Sequence, residues 1–112
     1  MSLDLFNWAE GQARRDDGMA RAAEAQEREV AGWGERAYQA IVTLAHARPT
    51  VHVDDVLGIF DEPPQHPTAW GTVWSRALKA GIIERSGMTR QSRDPRKHRH
   101  VYPVYRSRVC NA

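Results

Sequence analysis

The side chains with the widest chemical reach in this sequence are its late cations. Ten of the sixteen basic residues fall in residues 76–112, against two acids there, Glu84 and Asp94. That stretch sums to +8, whereas residues 1–75 sum to −6. Fourteen of the sixteen are Arg, and only Lys79 and Lys97 are Lys. A guanidinium forks onto phosphate oxygens and onto guanine edges. The chemistry implied is recognition of a polyanion rather than bond breaking. The densest group is Arg90, Arg93, Arg96, Lys97 and Arg99.

The residues that could break bonds are poorly arranged for it. His98 and His100 lie two apart among arginines, which repel a metal cation, and no third ligand sits at a metal-like spacing. His46, His52 and His66 stand alone; His52 lies where it can cap a helix. Asp54-Asp55 and Asp61-Glu62 could suggest a nuclease, but the first pair suits the start of a helix and no lysine is spaced to complete the pattern. No nucleophile–base pair and no glycine-rich phosphate cradle is present. The expectation is a non-enzymatic protein with no cofactor and no metal. The single cysteine, Cys110, rules out a disulfide framework. No apolar run reaches about 18 residues, so no membrane span is expected. Residues 1–6 lack the charged and apolar regions of a signal peptide, which points to the cytoplasm.

The elements that position the cations follow from periodicity. The chain has 112 residues, 41% apolar and 27% charged, an ordinary composition for one folded domain. The expected class is α+β, mainly helical with a small β-hairpin. Residues 1–15 read as a flexible tail, 16–33 as an N-terminal helix and 34–108 as the folded domain. Asp16 and Asp17 can cap the first helix. Met19, Ala23, Gln26, Val30 and Trp33 share one thin face of it, suited to lying across the domain, and the same seam would serve a homodimer. A second helix, 35–48, buries Ala37, Ile41, Leu44 and Ala45 and stops at Pro49. Residues 50–53 form a brief strand, and Val53, Val56, Leu57 and Phe60 share one face of a short helix. Three prolines make a turn of 61–67.

The next helix opens at Pro67 or Thr68 and ends at Gly81. Trp70, Val73, Trp74, Ala77 and Leu78 make its core stripe. Its other face carries Thr68, Ala69, Thr72, Ser75, Arg76 and Lys79 and no acid. Residues 82–85 leave as a strand, Ser86-Gly87 interrupt it, and 88–92 extend it. After the basic turn, 101–105 return as a strand in which Pro103 suggests an edge.

This order resembles the winged helix-turn-helix, here with an extra N-terminal helix. The resemblance covers about residues 34–106 and includes the ending Ala80-Gly81-Ile82-Ile83. Residues 66–83, followed by 89–92 and the basic run, are also similar to small proteins encoded by phages and prophages near replication genes. In winged helices the third helix enters the major groove and the hairpin wing touches the backbone or the minor groove. The resemblance implies duplex DNA as partner, with Thr68, Thr72, Ser75, Arg76 and Lys79 facing it. Gly71 would let the helix approach closely. Arg90, Arg93, Arg96, Lys97 and Arg99 would contact phosphates. The implied role is replication or transcription control.

The peptide Ser2-Leu3-Asp4-Leu5-Phe6 is similar to the motif by which bacterial replication and repair proteins dock on the sliding clamp, with Ser2 where that motif has Gln. The resemblance implies that Leu3, Asp4, Leu5 and Phe6 bind a protein. The same apolar side chains, with Trp8, could instead pack on the domain. The alternative function is accordingly a protein-interaction adaptor or inhibitor.

Overall fold

The computed structural model describes residues 17–94 and 100–111. It is α+β, with four helices and a small antiparallel sheet. Helix α1 occupies 17–29. Then come α2 (Trp33–Ala47), β1 (Thr50–Val51), α3 (Val53–Ile59), α4 (Ala69–Lys79), β2 (Ile83–Gln91) and β3 (Val101–Ser107). No helix among the described residues is long and apolar enough to cross a membrane.

The boundaries have local causes. Gly32 adopts φ 81°, and its glycine backbone lets α1 turn into α2. Trp33 therefore begins α2 rather than ending α1, and it sits in the core at 2% exposure. Its indole N–H donates to the Glu62 carbonyl at 2.8 Å. Helix α3 is closed by reciprocal caps. The Asp54 N–H donates to His52 Nδ1 at 3.1 Å, and the His52 N–H donates to Asp55 Oδ2 at 2.9 Å. Gly81 adopts φ 74° at the end of α4.

The core holds Ala37, Ile41, Leu44 and Ala45 of α2, with Val51, Val56, Phe60 and Ile83. On α4 the fully buried line is Ala69, Val73 and Ala77. Trp70 and Trp74 flank it half-buried. Ala69 thus leaves the polar face the sequence assigned it and lies in the core at 1% exposure. Trp70 meets Trp33 and Phe60 edge-on, and Trp74 stacks on Tyr105 at 5.0 Å.

The sheet order is β1-β3-β2, all antiparallel. β3 is therefore central, not the edge that Pro103 suggested. The reason Pro103 is tolerated is that β1 has two residues, paired only to Arg106 and Tyr105. At Pro103 the flank away from β2 has no strand beside it. The β2–β3 register slips between Arg85 and Met88, where Gly87 adopts φ 81° and the Ser86 hydroxyl donates to the Val104 carbonyl.

Candidate nucleic-acid interface

The β2–β3 hairpin is held to the head of α3 by three hydrogen bonds. Asp54 accepts the Ser92 hydroxyl at 2.6 Å and the Arg93 N–H at 2.9 Å. Ser92 is buried at 2% exposure. His52 is fully buried, and its Nε2–H donates to the Arg90 carbonyl at 3.1 Å, because Nδ1 is already an acceptor. Burial alone would raise the Asp54 carboxyl. The bonds from Ser92 and Arg93 outweigh it and hold Asp54 below its ordinary value. These contacts fix the strand end that presents Arg93.

Cations lie on both sides of this ribbon. The register sets Arg85 across from Tyr105, and Arg90 across from Tyr102. Tyr102 and Tyr105 are three apart, so the two arginines lie on opposite faces. Arg90 is half-exposed and 3.7 Å from Asp55. Arg106 pairs with Glu84. Lys79, Arg85, Arg93 and Arg108 are exposed and have no ion-pair partner among the described residues. Arg96, Lys97 and Arg99 lie outside the described residues.

The polar face of α4 is not the open, acid-free surface that its own sequence suggests. Glu35 of α2 reaches Arg76 at 2.6 Å, and the Arg76 guanidinium lies 3.8 Å over the Tyr38 ring. The bond from Arg76 is the chief cause holding Glu35 below its ordinary value. Arg76 is thereby turned toward α2. The Thr72 hydroxyl donates to the Met19 carbonyl at 3.3 Å. Gly71 lies directly under the Met19 side chain, with no room for a Cβ. The close approach that Gly71 permits is thus used by α1. Thr68 stays exposed, as does Lys79, while Ser75 is half-buried. Met19 and Ala20 form one wall of a cleft whose other wall is Thr72, Ser75, Arg76, Lys79 and Ala80.

Three side chains of α1 set that placement. Gln26, at 1% exposure, accepts the His66 N–H at 3.1 Å. Glu27 accepts the N–H groups of Gly32 and Gly34 at 2.8 and 2.7 Å, an anion at the start of α2. Glu29 pairs with His66. Met19 is seven residues before Gln26, two turns along the same helix face, so it falls on α4.

The residues shaping this candidate surface whose part in it the sequence did not reveal are Met19, Glu35, Asp54 and Arg85. Only a glycine inside a helix announced a close neighbour, and nothing named which one. Leu3, Asp4, Leu5 and Phe6 lie outside the described residues. No group of three or more His, Cys, Asp or Glu among the described residues could hold a metal ion. In comparison with known proteins, the chain matches no family model, no curated protein and no solved structure.

Proposed function

We propose that this chain is a non-enzymatic winged-helix DNA-binding protein in which β2–β3 is the wing and α4 the third helix. The order α2-β1-α3-α4-β2-β3, with β1-β3-β2 in the sheet, supports that reading. The observation that carries it is that, among the described residues, the exposed cations Lys79, Arg85 and Arg93 have no ion-pair partner and lie on the last turn of α4 and along a hairpin clamped at Asp54. Cations carried on a backbone already held in place attract phosphate more strongly than the same charges on a loose tail, because less ordering entropy is lost on binding. The sequence continues the charge through Arg96, Lys97 and Arg99. The phage-like resemblance of residues 66–83, 89–92 and the basic run supports a role in replication or transcription control.

A mobility shift on duplex DNA tests this. Alanine at Arg93, Arg96, Lys97 and Arg99 together abolishes retention, and unchanged retention rejects the wing as the binding element. The peptide Leu3-Asp4-Leu5-Phe6 favours a second contact, with the bacterial sliding clamp. Deleting residues 1–8 then removes capture of the clamp and leaves DNA retention intact.

A further inference from the structure

We infer that the chain meets duplex DNA wing first, with α1 seated against α4 at Gly71 so that α4 cannot enter the major groove, and so grips the phosphate backbone of any sequence without reading bases through Thr68 and Thr72. This rests on the DNA-binding reading above and specifies its partner as the duplex backbone.

That contact is part of the domain. Ala22 and Val30 of the N-terminal segment pack on the core, and Gln26 is buried beneath His66. No Gly or Pro lies between Met19 and Val30. Helices kink sharply at such residues, and without one α1 moves as a rod. Lifting Met19 from Gly71 therefore means unseating Gln26 and releasing Glu27 from the Gly32 and Gly34 amides.

The dimensions then decide which element leads. Packed helices lie about 8–10 Å apart, axis to axis. The major groove is about 8.5 Å deep. Thr68 and Thr72 stay exposed to water, but a helix seated beside them at Gly71 takes up the depth that α4 would need in the groove. The hairpin has no such cover in the described residues. From Tyr105, stacked on Trp74, β3 runs four residues to Val101, roughly 14 Å of ribbon. Its partner strand carries Arg85 on one face and Arg90 on the other, with Arg93 just beyond. Cations on both faces suit a ribbon lying between two rows of phosphates rather than a flat plate. On α4, Lys79 remains exposed across the cleft from Met19.

The geometry supplies its own test. A Cβ built on Gly71 lies 3.9 Å from the Met19 Cβ, close to the spacing of about 3.8 Å in a disulfide. Met19→Cys with Gly71→Cys, in a Cys110→Ser background, can lock α1 onto α4 and be released by reductant. Oxidised and reduced forms are expected to bind a duplex of arbitrary sequence with the same Kd within about twofold. Arg85 and Arg93 changed together to Ala should lower the salt slope by about two. Loss of binding on oxidation, restored by reductant, overturns the inference, because α1 must then leave α4. A selection from random duplexes using the unaltered chain gives an independent result. No enriched sequence is expected, and a recovered base consensus lost in Thr68→Ala/Thr72→Ala overturns the inference. Failure of the unaltered chain to bind any duplex at low salt instead rejects the DNA-binding reading itself.

Discussion

Asp54 at the head of α3 and Ser92 at the end of β2 share a 2.6 Å hydrogen bond across 38 residues of sequence. The same carboxylate takes the Arg93 N–H. Hydrogen bonds to a charged group contribute about 1.5–3 kcal/mol, and Ser92 would be left buried without this partner. Asp54→Ala should therefore lower stability by about 2 kcal/mol. The urea midpoint falls with an unchanged slope. Asp54→Asn, which keeps one acceptor oxygen, should lose about half as much. Amide exchange at residues 90–94 should quicken in both, and unchanged exchange would place the hold on the hairpin elsewhere.

The same carboxylate gives a pH dependence of known sign. Asp54 is held below its ordinary value in the folded chain. Its contribution is fully present above the unfolded value of about 4. It is lost as the pH falls through the lowered folded value. The stability gap between the natural chain and Asp54→Asn should be flat from about pH 8 to pH 5 and close below about pH 4. Urea titrations at a series of pH values measure it, and a gap that widens in acid contradicts the clamp.

How far these contacts were legible beforehand depends on their reach along the chain. The order of elements followed from local signals. Pro49 ends α2, and Gly81 ends α4 at a positive φ. Ser86-Gly87 mark the slip in β2. His52 caps α3, as its position before two aspartates suggested. What covers each face could not be read this way. Periodicity groups Thr72, Ser75, Arg76 and Lys79 on one side of a helix, but it is blind to Glu35 and Met19, which arrive 41 and 53 residues away. Pro103 misled for the same reason. Proline restricts its own flank of a strand, and only the shortness of β1 reveals that this flank is open inside a central strand. Gly71 was a true signal with the wrong partner. A glycine inside a helix costs about 1 kcal/mol against alanine and so marks a close approach, here by Met19.

Trp33 joins the turn after α1 to the aromatic cluster of Phe60 and Trp70. Trp33→Phe keeps most of the ring and loses the bond to the Glu62 carbonyl. A cost of about 1–2 kcal/mol is expected. Trp33→Ala should cost about 3–5 kcal/mol, because the site is buried and its walls are helices that cannot collapse freely. Thermal unfolding of the two variants checks the ratio. Equal losses would mean that the indole N–H, not the packing, holds the turn.

Arg76 is occupied by Glu35 and Tyr38. Arg76→Ala is expected to leave duplex affinity within about twofold, whereas Lys79→Ala removes one free cation and lowers the salt slope by about one. Both variants are compared in one salt titration of DNA binding. A tenfold loss for Arg76→Ala would show that Glu35 surrenders the guanidinium to DNA. Glu35→Gln separates the cases, since it frees Arg76 without removing its charge and should tighten binding only if Arg76 can reach phosphate.

Gln26 carries the clearest local mismatch in the fold. Its Oε1 accepts the His66 N–H, while its Nε2 is buried with no partner among the described residues. A buried donor without a partner costs about 1–3 kcal/mol, and a neutral hydrogen bond contributes about 1 kcal/mol. Replacing the amide with an apolar group of similar size removes both at once. Gln26→Met should therefore stay within about 1 kcal/mol of the natural chain. Gln26→Ala loses the same polar atoms and also leaves a void beneath α1, so it should cost about 2–3 kcal/mol. If Gln26→Met falls as far as Gln26→Ala, the bond to His66 is what seats α1, and the free end of that helix over Gly71 should become susceptible to proteolysis in both variants.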